Sequence, residues 1–591
     1  MRVEVTPSRA YIELVDSGFF KGRSRRPFIE YAIRCMEHCL EEGIPLMVIA
    51  PPGIGKTTIA YSAAIAILLG YSKAIRVIHV LPLRSIIDDI HRRFAQGLKN
   101  MGIDERLNIV SRQYSMLHGS PYLQATYVST TIDTYAFSVL KIPIDEFSDL
   151  MRHESFHGHY EIPRASIYSA INFLDEAHLL LEDITGIEKG SRFLRTLTYH
   201  FTQARIPLIL LTATLPSKLT TDLISNIMGK AEVIDYREFV SRHGPDEFYA
   251  LELEKRFKPL GRGLERLNLQ QLIDRIDEIR NASKLCVMVN TVDLSIELYE
   301  RFSRKCLLIH SKFTPNDREK KLGALKDFNL VVSTQVLEAG VDTSFDIMLT
   351  ELAPISSLIQ RLGRLARGEN REGLWLIFYD EKTLEGRGIY SPNLIKVTLN
   401  VLENAPLEKI HWHLPQRLRS EDFTGYMQLI DAVWESFSVP QGLDVDLLDI
   451  LERLDVDSRK VLAYLQGAMA GSFIRDEVLT PLYVGTPPED YADFRRSMRE
   501  RLVPMSLSDA SRYVRHLIDK GYEVSLVSAQ RTSKRGDLKV VLEDLKGLNT
   551  LDISRVRAKL REPFVKGLAL ALAIPQELYE GGVYGRGILW P

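Results

Sequence analysis

Three short segments of this chain carry residue types that could do phosphate chemistry. Ala50-Pro51-Pro52-Gly53-Ile54-Gly55-Lys56-Thr57 follows the apolar run Leu46–Ala50 and opens an apolar stretch of helical character from Thr58 to Leu69. Glycines let backbone N–H groups approach an anion closely, and a helix that starts there points its positive end at it. In such a cradle Pro52, Gly53, Gly55 and Thr58 line the phosphates of a nucleotide and Lys56 reaches its β and γ groups. Thr57 offers its hydroxyl to Mg²⁺. The second segment, Asp175-Glu176-Ala177-His178, places Asp175 to hold that ion and Glu176 to polarise an attacking water. In the third, Gln360, Arg364 and Arg367 stand four and three residues apart, a spacing that predicts one side of a helix. Entering the cleft from a second body, their guanidinium groups would stabilise charge on the transferring phosphoryl only when the bodies close. One match alone would be weak, whereas the ordered set of three points to hydrolysis of a triphosphate.

A further segment reads two ways. In Leu211-Thr212-Ala213-Thr214-Leu215-Pro216 the hydroxyls of Thr212 and Thr214 are expected to bond to His178 and Asp175, tying nucleotide state to sheet position. Taken alone, the pair reads more readily as a strand end before a proline.

These segments need strands and helices to hold them. Leu46–Ala50, Arg76–Leu81, Tyr127–Ser129, Ile171–Leu174 and Leu208–Leu211 are short runs of strand character, each followed by a polar or helical stretch. That alternation predicts a parallel sheet covered on both faces. A charged connection with Lys255, Arg256, Lys258, Pro259, Gly261 and Gly263 reads as a hinge. Beyond it Leu285–Val289, Cys306–His310, Leu330–Ser333, Ile347–Thr350 and Leu374–Tyr379 predict a second sheet of the same type, facing the same cleft. After Tyr390 the chain reads as mostly helical, with a hairpin at Val524–Val527 and Leu538–Val541. The expected division is an N-terminal extension (1–27), two α/β domains (28–238 and 239–388) and a mainly α-helical accessory domain (389–591).

Composition bounds the rest. At 591 residues the chain exceeds one hydrophobic core, and its 45% apolar content fits a folded protein. A net charge of −2 offers no global attraction to nucleic acid, so a polyanion would need a local groove. The four cysteines form no CxxC pair, which fits a reducing compartment. Cys35, His38 and Cys39 share a helical face but offer too few ligands for a closed zinc site. No apolar run approaches the roughly 20 residues that span a bilayer, and the expectation is a cytoplasmic protein without a membrane partner.

Together, AxxGxGKT, DEAH, TATLP, Val332-Ser333-Thr334-Gln335-Val336-Leu337-Glu338-Ala339-Gly340-Val341-Asp342 and QRLGRLAR resemble a DEAH-box superfamily 2 helicase from Phe28 to Asp380. Ile309-His310-Ser311-Lys312-Phe313 with Asp317-Arg318, and Thr350–Pro354 running through Ser357-Leu358-Ile359 into Gln360, are most similar to the CRISPR-associated helicases of type I systems. The resemblance implies two tandem RecA-like domains and an ATP-dependent motor on single-stranded DNA. It also implies recruitment by an RNA-guided CRISPR surveillance complex. Gly340 and Asp342 would join the nucleotide site. Pro82, Arg84, Thr130, Thr131 and Asp133 on the first domain would contact the strand, with Asn290, Thr291, Ser311 and Thr334 doing so on the second. For any one of these residues, loop capping is an equal alternative.

Three departures qualify that picture. Many relatives fuse an HD nuclease ahead of the motor, yet none of the 14 histidines here precedes an aspartate, so a separate HD-type nuclease subunit is expected. His153, His157 and His159 lack an aspartate partner and read as a histidine-rich insertion rather than a metal site. Ile29 stands where the family's adenine-reading glutamine would fall. In the C-terminal part, Arg495, Arg496, Arg499 and Arg501, with Arg531, Lys534 and Arg535, read first as solvated and second as a basic wall. Trp412 reads as a packed anchor against the second domain rather than a base-stacking ring. Two alternatives stay open, a DEAH-type RNA helicase and a non-hydrolysing scaffold that bridges guide complex and nuclease.

Overall fold

Two series of short apolar strands build two sheets. The structure, a computed structural model, describes residues 5–591 apart from 18, 20–23, 83, 104–108, 115–116, 121, 144–158, 182–188, 282, 303–304, 339–342, 369–370, 419–420, 440–441, 454–456, 468–471, 474–477, 532–537 and 567. The first sheet contains β1 (Leu46–Ile49), β2 (Arg76–Leu81), β3 (Val110–Tyr114), β4 (Leu117–His118), β5 (Tyr127–Thr131), β6 (Ala170–Asp175), β7 (Leu208–Thr212) and β8 (Glu232–Asp235). Their order is β4-β3-β5-β2-β6-β7-β1-β8, all pairs parallel except β3 with β4. Strands β1 and β7 are buried along their whole length, which gives the continuous apolar reading of a strand covered on both faces. The helix Thr57–Leu68 is apolar on every side and mostly buried, as expected of a helix inside a layered core.

The second sheet contains β9 (Arg256–Arg266), β10 (Leu285–Met288), β11 (Cys306–Ile309), β12 (Leu330–Ser333), β13 (Ile347–Glu351) and β14 (Glu372–Tyr379). Its order is β11-β12-β10-β13-β14-β9, parallel throughout. The segment expected as a hinge is therefore an edge strand, paired with β14 from Arg256 to Arg266. Gly261 and Gly263 adopt φ of 58° and 75° where the register shifts, and an edge strand tolerates both the bulge and Pro259. Proline and glycine mark an edge as readily as a break, which is why the sequence misled here.

Beyond Tyr390 come the helices Pro392–Glu403, Tyr426–Glu435, Val445–Glu452 and Ser458–Gln466 and the short pair β15 (Ile410–His411) and β16 (Thr424–Gly425). A five-stranded sheet follows: β17 (Leu482–Val484), β18 (Leu502–Val503), β19 (Ser525–Arg531), β20 (Leu538–Asp544) and β21 (Ala569–Ile574), in the order β18-β17-β21-β19-β20. The expected hairpin is β19 with β20, in register from Ser525↔Asp544 to Arg531↔Leu538. It is part of this sheet rather than free-standing.

This third unit holds both lobes. Ser217 donates to Asp431 through its backbone N (2.8 Å) and Oγ (2.9 Å), and Asp444 N donates to Thr196 Oγ1 at 2.9 Å. On the second lobe the last residues form β22 (Tyr579–Glu580) and β23 (Gly587–Ile588). Tyr579 donates its hydroxyl to Asp317 at 2.7 Å, Lys321 donates to the carbonyls of Val583 and Gly585 at 2.9 Å, and His310 Nε2 donates to Arg586 O at 3.0 Å. Gly587 has φ 82°, and a Cβ there would sit 2.4 Å from Lys312 O, so the approach needs glycine.

Trp412 is fully buried with its ring perpendicular to that of Trp375 on β14, centroids 5.2 Å apart. It is thus an anchor on the second lobe. Truncation of such a ring leaves a large cavity, so Trp412→Ala is expected to cost about 3–5 kcal/mol. The drop is read as a lower urea midpoint, with Trp412→Phe losing less.

Candidate active site

The glycine loop lies at the carboxyl end of β1, where ligands of open α/β sheets bind. Gly53 and Gly55 adopt φ of 82° and 102°, a region that side-chain-bearing residues rarely enter. Lys56 is buried at the start of the helix Thr57–Leu68, and its ammonium donates to Ala50 O at 2.8 Å and Pro51 O at 3.3 Å. Burial pulls its pKa down, while the charges of Glu176 and Asp175 pull it back up. Pro52, Thr57 and Thr58 belong to the same turn.

The acidic pair ends β6, two strands from β1 across β7. Asp175 Oδ1 accepts the Glu176 N–H at 3.0 Å, and Oδ2 lies 3.3 Å from His79 Nε2. Glu176 sits at φ 54°, a strained choice for this residue type that turns the carboxylate toward the loop. Burial pushes its pKa up to about 7, against the opposing pull of Lys56. His178 is buried and kept neutral, its pKa lowered to about 3 by burial and by the charge of Lys56. His178 Nδ1 shares a hydrogen with Thr212 Oγ1 at 3.3 Å, as expected from the motif. Thr214 departs from expectation: its buried hydroxyl has no hydrogen-bond partner among the described residues, and Asp175 is held by His79 instead.

The second lobe supplies Gln360, Arg364 and Arg367, but not on one helix face. The helix Ile355–Leu362 stops at Gly363, where a Cβ would come 2.7 Å from Ile359 O. Leu365 then bridges Phe345, Ala366 N donates to Phe345 O at 3.0 Å, and Ala366 takes φ 45°. This tight turn, not helical periodicity, sets the Arg364 and Arg367 side chains, while Gln360 stays on the helix. Gln360 and Arg364 are buried; Arg364 acts electrostatically on Glu176, and Arg367 acts on Lys56. Arg364 Nη2 donates to Glu338 O at 2.9 Å, and Arg367 Nε to Gly363 O at 2.6 Å.

Two buried polar atoms around this cleft, His178 Nε2 and Gln360 Nε2, have no hydrogen-bond partner among the described residues, and Glu176 Oε2 faces His178 Nδ1 at 3.3 Å. Buried polar groups in folded proteins are nearly always satisfied, so their clustering beside the glycine loop fits a polar ligand. Lys56, the loop backbone and both arginines suit phosphates; Thr57 and Asp175 offer the hard oxygens that Mg²⁺ takes. Gly340 and Asp342 lie outside the described residues, as do His153, His157, Lys534 and Arg535, and nothing is described of the Arg84 and Arg531 side chains.

Four of the expected strand contacts are buried. Thr130 donates to Gln113 O at 2.7 Å, and Thr131 caps the helix Ile132–Val139. Asn290 donates to Leu352 O at 2.8 Å and accepts from Arg361 at 3.0 Å, and Thr334 lies beneath the surface at the end of β12. These placements share a cause, since a motif position at a strand end says nothing of which way the side chain turns. Thr291 accepts from Leu294 N at 3.3 Å as a helix cap. Pro82 and Asp133 are half-buried and Ser311 is exposed. Ile29 packs in the core; of the C-terminal arginines, Arg499 pairs with Glu319 and the largely exposed Arg496 with Asp493.

Two parallel sheets that turn a glycine loop, an acidic pair and an arginine turn toward each other define a superfamily 2 helicase of the DEAD/DEAH class. Residues 30–222 match the DEAD/DEAH box helicase family and 281–370 match the C-terminal region of the CRISPR-associated nuclease/helicase Cas3 family. The CRISPR-associated helicase Cas3 of Thermoproteus tenax is 26% identical over 371 residues, covering 60% of this chain and 58% of that protein. The nuclease/helicase Cas3 of Methanothermobacter thermautotrophicus is 23% identical over 410 residues, 64% of this chain and 45% of that one. The chain thus spans about half the length of these relatives. T. fusca Cas3 with ADP superposes at a TM-score of 0.56 with 16% identity, covering 84% of this chain and 65% of that one. The first α/β domain thus matches the DEAD/DEAH box helicases and the second the C-terminal region of the Cas3 family.

Sequence reading missed two neighbours of the site. His79 left no motif, only a polar residue in a buried strand. Arg26 donates to Gly53 O at 2.8 Å and lies 5.6 Å over the Phe248 ring; it stands in the segment searched for an adenine-reading residue. The raised pKa of Glu176 sets a pH expectation. A general base at this position would have to be ionised, so kcat/KM for ATP is expected to fall as pH drops through about 7. Glu176→Gln removes that limb and lowers kcat by about 100-fold or more.

Proposed function

We propose that the chain hydrolyses ATP to pull single-stranded DNA through the cleft between its lobes, as the motor of a CRISPR interference system. The observation that carries this reading is the convergence of Lys56, Asp175 and Glu176 from one sheet with Arg364 and Arg367 from the other. Lys56 would bind the β and γ phosphates, Glu176 would orient and deprotonate the water, and the arginines would meet the charge that develops on the phosphoryl group. Mg²⁺, held by Thr57 and Asp175, would neutralise phosphate charge. Because the arginines come from a different lobe, hydrolysis and lobe geometry would be coupled.

The names of the relatives place them in CRISPR systems, two of them as helicases or nuclease/helicases. On that footing an RNA-guided surveillance complex would deliver the DNA. The strand that the motor pulls would pass to an HD-type nuclease subunit. The deciding assay is ATP turnover with single-stranded DNA, with RNA and with no polymer. DNA is expected to stimulate turnover; stimulation by RNA alone would favour an RNA helicase. Lys56→Ala is expected to abolish turnover and Arg364→Ala to lower kcat by about 10³-fold. A Lys56→Ala protein that still supported interference would favour the scaffold.

A further inference from the structure

One buried side chain with no task so far touches the acidic pair directly. His79 lies in the middle of β2, between β5 and β6, with no exposed surface. Its Nε2 is 3.3 Å from Asp175 Oδ2, and its Nδ1 is 2.7 Å from the Tyr127 hydroxyl. An ionised carboxylate can only accept, so the imidazole hydrogen sits on Nε2 and donates to Asp175. The lone pair at Nδ1 then accepts the Tyr127 O–H. Tyr127 thereby fixes the tautomer, and the three groups form a chain with one direction: Tyr127 to His79 to Asp175.

Both ends of the chain are held. At the inner end the other Asp175 oxygen accepts from Glu176 N at 3.0 Å, so the carboxylate plane is gripped from two sides. At the outer end the Tyr127 ring packs 4.4 Å from Phe94 and 5.7 Å from Tyr61, measured between centroids. Tyr61 belongs to the helix that follows the glycine loop, and Phe94 to the helix Arg84–Asn100. The carboxylate is therefore referenced to the same packed aromatic layer that carries the phosphate loop.

We propose that His79, locked by Tyr127, is a positioning residue that aims the Asp175 carboxylate at the metal ion. The inference rests on the ATPase reading above and assigns it a support that no motif contains. Groups that orient metal ligands through hydrogen bonds typically contribute 10–100-fold to metal affinity or activity.

The test is binding of a fluorescent ADP analogue to the full chain, in EDTA and across a Mg²⁺ titration. His79→Phe and Tyr127→Phe are compared with wild type and with Lys56→Ala. Both His79→Phe and Tyr127→Phe are expected to bind nucleotide normally in EDTA but to need about 10-fold more Mg²⁺ for the metal-dependent gain. His79→Gln, whose amide can still donate, is expected to recover part of the loss. Unchanged Mg²⁺ dependence in His79→Phe and Tyr127→Phe would overturn the proposal. Loss of binding in EDTA as well would also overturn it, by showing that His79 merely supports the loop. If wild type shows no metal-dependent gain while Lys56→Ala abolishes binding, the metal-dependent ATPase reading fails, and this proposal with it.

Discussion

Cations gathered from both lobes are the constraint on which the cleft depends. Lys56 donates to two carbonyls of its own loop, Arg364 to Glu338 O and Arg367 to Gly363 O. A charge taken out of water is costly unless paired, and a neutral carbonyl is a weaker partner than a carboxylate or phosphate. The Glu176 carboxylate beside them is itself opposed by burial and by the charge of Asp175. A polyanion entering the cleft would meet cations from both lobes at once. Affinity and lobe closure are then the same event.

The arginine motif shows how one segment divides its labour. Arg361 is fully buried and bonds to Glu338, Thr350, Glu351 O, Asn290 and the Tyr390 hydroxyl. Removing one partner from such a network typically costs about 3–5 kcal/mol. Arg364, three residues on, faces the cleft because the helix has already ended at Gly363. The first arginine fastens the motif to the sheet, and the second uses the resulting rigidity.

Legibility followed the kind of signal. Strands β2, β6, β7 and β12 were plain because apolar runs of that length have few alternatives. The glycine loop was plain because its φ values need glycine, and β9 was hidden because its proline and glycines read as a break. Asn290 and Thr130 bond within their own lobes, which their residue types could not foretell, because type reveals hydrogen-bonding capacity but not direction. His79 could not be found at all, since its role exists only when β2, β5 and β6 lie side by side. Periodicity likewise misplaced Arg364 and Arg367, whose orientation comes from a bridge between Phe345 and Leu365 that no local pattern records.

The third unit is fastened to the first lobe through Asp431 and Asp444 and to the second through Tyr579, Arg586 and Gly587. The lobes are also joined covalently at the crossing into β9. They are consequently moored at two places, one a peptide link and one a leash reaching around the outside. Any excursion that widens the cleft must stretch, bend or release that leash, so its opening is bounded by residues far from the glycine loop.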